Sequence, residues 1–171
     1  IISFNAYSQE DSVSFKPSGK VIARAFIDYS NNFDDESGFD ITRAFLGYNY
    51  QITSNLQAPV IIDGAAGVKD DRFDPYIRNA FLRWSDKGFD IYMGLTGLMQ
   101  FSIQEKYWKH RYILKSFQDL NSMAPSVDLG ITTQYTFNKY ISADISLTNG
   151  EGYKKISKDN SYKTGLGLSL H

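Results

Sequence analysis

Eight charged residues stand at positions where a fixed charge could act on passing ions. Lys20, Arg24, Arg43 and Arg83 are cationic, and Asp28, Asp63, Asp128 and Asp144 are anionic. Their surroundings suit two kinds of chemistry. On the water-facing side of a sheet, a ladder of cations countered by a few carboxylates selects ions by charge. Set across adjacent strands, the same groups pair and hold the register of the wall. A second concentration lies between Gln104 and Asp119, where Lys106, Lys109, His110, Arg111 and Lys115 are interleaved with Tyr107, Trp108, Tyr112 and Phe117. Few helix breakers interrupt this stretch, so a short amphipathic helix is expected. It has two placements: folded inward as a basic constriction that favours anions such as phosphate, or capping a loop rim or a lipid headgroup interface.

Bond-making chemistry has little to stand on. Only two histidines occur, His110 in the basic stretch and His171 at the last position, so neither a Ser-His pair nor a two-His metal site is suggested. Cysteine is absent, which excludes disulfides and thiolate ligands. Asp34-Asp35-Glu36 lacks the spaced oxygen ligands and the glycine of a calcium loop and reads as a solvated acidic loop. Gly165-x-Gly167 sits inside an alternating segment with no GK[ST] after it, so it is no phosphate cradle. Asn149-Gly150-Glu151-Gly152 is a turn signal. The expectation is a chain with no catalytic residues, no metal and no cofactor. A net charge of -1 supplies no field for nucleic acid.

The elements that must position these charges are strands. The pattern small, aromatic, aliphatic, any, aromatic occurs as AFIDY at Ala25 to Tyr29, AFLGY at Ala44 to Tyr48 and AFLRW at Ala80 to Trp84. Each copy alternates with a period of two, the signature of a strand with unlike faces. Similar runs at Val21 to Tyr29, Phe39 to Ile52, Leu56 to Asp63, Tyr76 to Trp84, Phe89 to Leu95, Val127 to Phe137, Ile141 to Leu147 and Tyr162 to Leu170 give about eight strands. The connections alternate in length. Thr53-Ser54-Asn55, Ser85-Asp86-Lys87-Gly88 and Asn138-Lys139 are tight, whereas Asn31 to Gly38, Gly64 to Pro75, Gly97 to Pro125 and Asn149 to Asn160 are long. Short turns therefore fall on one rim and long loops on the other. The 171 residues suit a single domain, 1–171, or half of a larger one.

Aromatic residues fall at the strand ends of the apolar face. Tyr29, Tyr76 and Tyr162 stand at the long-loop ends; Tyr48, Tyr50, Trp84, Phe89, Tyr135 and Phe137 stand at the short-turn ends, with aliphatic residues between. Two aromatic girdles around an aliphatic band are expected of a sheet surface in lipid. The expected fold is all-β, a transmembrane antiparallel up-and-down β-barrel. A soluble lipocalin-like barrel has the same periodicity with its apolar face inside. Phe26, Phe45 and Phe81, sharing the polar face with Arg24, Arg43 and Arg83, favour the membrane alternative, because a water-facing surface has little use for them. Arg78, by strict alternation, falls on the lipid side near the long-loop rim, where a long cation snorkels. The first residues, IISFNAYSQEDS, lack the basic start and apolar run of a signal peptide.

The succession FKPSGK, DITRAFLGYNYQIT, DPYIRNAFLRW, IQEKYWKHRYILKSFQD, SVDLGITT and LTNGEGY resembles the first half of Gram-negative outer-membrane porins of the phosphate-selective porin O and P type. The resemblance spans nearly the whole chain and rests on order and spacing. It implies a barrel of about sixteen strands, a homotrimer in the outer membrane that passes small polar or anionic solutes by diffusion. The chain departs from the pattern in stopping after about eight strands without a terminal aromatic residue, so the expectation is the amino-terminal part of a longer porin or a small closed barrel acting as an anchor or adhesin. Gly47, Gly94, Gly130, Gly165 and Gly167 on the polar face would pack a narrow barrel poorly and suit a watery lumen, which favours the porin.

Overall fold

A computed structural model describes residues 15–31, 37–66, 73–111, 113–153 and 160–170. Its strands are β1 (Ser18–Ser30), β2 (Gly38–Gln51), β3 (Leu56–Ala66), β4 (Phe73–Asp86), β5 (Phe89–Gly97), β6 (Val127–Thr136), β7 (Ile141–Thr148) and β8 (Lys163–Leu170). Each pairs antiparallel with the next, giving one eight-stranded sheet in the order β1 to β8. The sheet is open: among the described residues no ladder joins β8 to β1. Two helices, α1 (Met99–Trp108) and α2 (Phe117–Leu120), interrupt the β5–β6 connection. No helix among the described residues is long and apolar enough to cross a membrane, which says nothing of strands.

The short rim is built by local chemistry. Ser85 and Asp86 extend β4, leaving Lys87-Gly88 as a two-residue hairpin with φ of 44° and 87°, a geometry whose twist matches that of the strands. The backbone N–H groups of Ile52 and Thr53 both donate to the Leu56 carbonyl, at 2.8 and 3.1 Å. The Asn138 side-chain oxygen accepts from the N–H groups of Tyr140 and Ile141, folding the third turn on itself. The longer connections all start from the opposite rim.

Cross-strand register assigns the faces, because directly opposed residues share a side of the sheet. One side carries Val21 opposite Tyr48, Ala23 opposite Leu46, Leu46 opposite Ile62, Val60 opposite Ala80, Met93 opposite Ile131 and Ile145 opposite Leu166. The other carries Lys20, Arg24, Arg43, Asp63, Arg83, Thr132, Asp144 and Ser146. Two β-bulges shift this phase. Phe26 pairs with Arg43, but Ile27 pairs with Ile41, so Thr42 is the extra residue and Ile41 and Phe39 turn to the apolar side. Likewise Ile61 pairs with Asn79 while Ile62 pairs with Ile77, so Arg78 is extra. Strict alternation would put Tyr76 in the girdle and Arg78 on the apolar side. The bulge instead moves Ile77 to the apolar side and both Tyr76 and Arg78 to the polar one.

Exposure runs opposite to that of a water-soluble domain. The apolar side is open: Leu46 is 61%, Met93 55% and Leu168 70% exposed. The buried side chains are mainly polar, namely Asp63, Asn79, Thr96, Ser116, Asp128, Thr132, Ser142 and Thr148. Among the described residues the buried hydrophobic side chains are Leu95, Leu98, Phe101 and Val127, which cluster in sequence around the start of α1 and β6. The polar side is shielded along β3 to β7, whereas on β1 both sides are exposed, Val21 and Ala23 as well as Lys20 and Arg24. Gly94 and Gly130 stand directly opposite each other in β5 and β6. A Cβ on Gly130 would stand 2.1 Å from the Leu147 carbonyl oxygen, and one on Gly94, whose φ is 127°, 2.4 Å from that of Ala80. These glycines answer to close backbone approach rather than to an open lumen.

Candidate functional site

The polar side gathers its charge near the long-loop rim, where β2, β3 and β4 meet. Asp63 is fully buried and holds the Arg43 guanidinium in a fork: Nε donates at 2.9 and 3.1 Å to the two carboxylate oxygens, and a second guanidinium nitrogen donates alongside it. Arg78 brings its Nε to 3.8 Å from the same carboxylate. Both guanidinium carbons lie over one face-bearing ring, Phe45, at 4.8 and 5.1 Å from its centre, and Phe26 meets that ring edge-on at 6.1 Å. Two cations thus share one carboxylate over an aromatic platform. The surplus is one positive charge, shielded from bulk water and therefore less screened than a surface charge.

Tyr76 sits beside this cluster. Its ring lies 5.3 Å from that of Tyr153, and in the register Tyr76 stands opposite Asp63, which brings Tyr153 to the edge of the arginine pair. Neither Arg78 nor Tyr153 stands out in the sequence as a site residue. The parity change between Ile77 and Ala80 is the available signal for Arg78, whereas nothing local marks Tyr153.

Nearer the short-turn rim, Arg83 bonds Asp90 at 2.7 and 2.8 Å and lies 5.5 Å over the Tyr92 ring. By register Arg83 opposes Tyr92 and Phe45 opposes Asp63, so both ion pairs are diagonal pairs between adjacent strands. Of the eight charges singled out in the sequence, Arg43, Asp63 and Arg83 serve such pairs. Lys20, Arg24 and Asp28 are exposed on the polar side of β1, with Asp28 directly opposite Asp40. Asp144 is half-buried on β7. Asp128 does not present a carboxylate to open space: it is fully buried and accepts backbone N–H groups from Leu129 at 2.8 Å, Gly150 at 2.7 Å and Gly152 at 3.3 Å.

The basic segment is not the single amphipathic helix expected over 104–119. Lys109 takes a left-handed conformation, φ 59°, and ends α1; α2 begins only at Phe117. The apolar residues of α1 are spread around its circumference rather than along a stripe. Arg111 donates to Asp119 at 2.8 Å and lies 3.8 Å from Glu105, so it ties the two helices together and is no free cation. Lys106, Lys109, His110 and Lys115 are exposed. The helix start turns toward the polar side of β7 and β8: Leu98, Met99 and Ile103 line a cleft of about 170 Å³ with Asp144, Ser146 and Thr148. Tyr112 and the acidic triplet 34–36 lie outside the described residues.

Tyr29, Tyr48, Tyr50, Trp84, Phe137 and Tyr162 are exposed, and Tyr135 stacks on Phe89 at 4.2 Å on the apolar side. Tyr76 alone of the expected girdle lies on the polar side. No family model, characterised protein or solved structure matches the chain.

Proposed function

We propose that this sheet is wall of an outer-membrane β-barrel of porin type, through which small polar or anionic solutes, phosphate among them, diffuse passively. One observation carries the reading: the aliphatic side of the sheet is exposed and flanked by aromatic rings, while along β3 to β7 the polar side is shielded. Water penalises exposed aliphatic surface by roughly 25 cal/mol per Å², and soluble monomers seldom expose such a continuous patch. Hydrocarbon removes that penalty, and Tyr and Trp at its boundary keep their polar tips wet.

Lipid also requires every backbone N–H and C=O to be paired, so the outer edges of β1 and β8 need partner strands in the finished barrel. The resemblance to porins of the O and P type supplies them as further strands of a sixteen-stranded wall and makes a homotrimer the expected assembly. Eight strands closed on themselves leave an interior filled by side chains; sixteen leave an aqueous channel that charged residues can face. Lys20, Arg24 and the surplus cation of the Arg43–Asp63–Arg78 group support a preference for anions.

The test is reconstitution of the natural full-length protein. Heat-modifiable gel mobility, detergent-dependent solubility and swelling of liposomes in small sugars are expected. A protein that stays dispersed without detergent and produces no swelling refutes the proposal.

A further inference from the structure

The connection after β7 does not stay at the rim. Tyr153, five residues beyond the end of β7, reaches Tyr76 on β4, although β5 and β6 lie between. Strands are about 4.8 Å apart, so the crossing spans on the order of 14 Å, close to the reach of five extended residues. Tyr76 is on the polar side, opposite Asp63 in the register, so the segment crosses that side.

The crossing is anchored. The Asp128 carboxylate, fully buried on β6, takes the N–H groups of Gly150 and Gly152. Both glycines have positive φ, 90° and 81°, which lets their N–H groups converge on one anion. A Cβ on Gly152 would lie 2.8 Å from Pro125, so the segment is also seated against the end of the preceding loop. Fully buried and holding three backbone donors, this carboxylate is turned to the chain rather than to passing ions.

We propose that residues 149–153 form a fixed shelf across the long-loop mouth, latched by Asp128, and that Tyr153, resting on Tyr76 beside Arg43 and Arg78, sets the size limit and the anion contact of the pore. This rests on the porin reading. Asp128 is a positioning residue, acting through the shelf, while Tyr153 and Arg78 meet the solute. The solute class this mouth fits is a small hydrated anion able to take hydrogen bonds from guanidinium and phenol groups.

Single-channel recording of the full-length protein in planar bilayers, with liposome swelling in sugars of increasing size, tests the shelf. Tyr153→Ala should raise conductance about 1.5-fold or more and admit a larger sugar. Asp128→Ala should do the same, with Asp128→Asn, which keeps one acceptor oxygen, falling between it and the natural protein. Should Asp128→Ala fail to fold, Tyr153→Ala decides, since its side chain anchors no backbone. Conducting natural protein with unchanged conductance and sugar cut-off in Tyr153→Ala overturns the shelf and leaves the porin reading standing. Natural protein that forms no channel overturns both.

Discussion

Replacing Asp63 by alanine should be among the most damaging single changes in the sheet. The carboxylate is fully buried, accepts a forked pair from Arg43 and balances Arg78 at 3.8 Å. Removing it leaves two guanidiniums over one phenylalanine ring with no anion between them. Stripping one partner from a buried pair costs about 3–5 kcal/mol. Arg43 retains 15% side-chain exposure and lies near a rim, where water can reach it, so the lower end applies. About 3 kcal/mol corresponds to roughly a hundredfold shift in the folding equilibrium. Urea titration of the folded protein in lipid, followed by fluorescence of Trp84 and Trp108, reads it directly. Asp28→Ala, at an exposed carboxylate, should stay within about 0.5 kcal/mol. The double variant Arg43→Met/Asp63→Ala should recover part of the loss, because it removes one of the stranded charges. A cost below about 1 kcal/mol for Asp63→Ala would refute the view that this carboxylate is structural.

Leu46→Arg should destabilise the protein in lipid by about 2–4 kcal/mol, as a charge facing hydrocarbon does; urea titration showing a cost within about 0.5 kcal/mol would place that position in water. Gly130→Ala, whose Cβ would stand 2.1 Å from the Leu147 carbonyl oxygen, should cost at least about 2 kcal/mol or abolish the heat-modifiable folded band. Arg111→Gln should speed proteolysis between α1 and α2 several-fold, roughly the effect of losing about 1 kcal/mol of charge-assisted bonding, while Lys109→Gln leaves it unchanged.

The strands were legible because their faces differ so much in polarity that a period of two survives along most of their length. Turn chemistry was legible at Lys87-Gly88 and Asn138 for the same local reason. The bulges at Thr42 and Arg78 left a trace that strict alternation overrode. Phe39 and Ile41 are odd-numbered where Ala44 and Leu46 are even, and Ile77 is odd where Ala80 and Leu82 are even. A change of parity within one strand is the mark of an extra residue, and noticing it moves Arg78 and Tyr76 to the polar side.

Partners distant in sequence were not legible. Asp128 and Gly150 are 22 residues apart, and nothing in Asn149-Gly150-Glu151-Gly152 beyond a turn signal says which anion its N–H groups will hold. The left-handed conformation of Lys109, which ends the first helix of the basic segment, has no breaker residue behind it; the contacts around it, Trp108 Nε1 donating to the Leu114 carbonyl and Arg111 to Asp119, are tertiary. The polar-side glycines read as open space because composition cannot distinguish a missing side chain that leaves room from one that lets two backbones meet.

The central claim is that the aliphatic side of the sheet touches lipid and the charged side touches water. The 171 residues contain no cysteine, so a single thiol introduced among them is unique within this stretch. Leu82→Cys and Arg83→Cys, neighbours on opposite sides of β4, carry the same fluorophore in proteoliposomes of the full-length protein. Brominated lipid should quench the probe at position 82 and aqueous iodide the probe at 83. Iodide quenching at 82 together with protection from lipid at both positions would contradict the account.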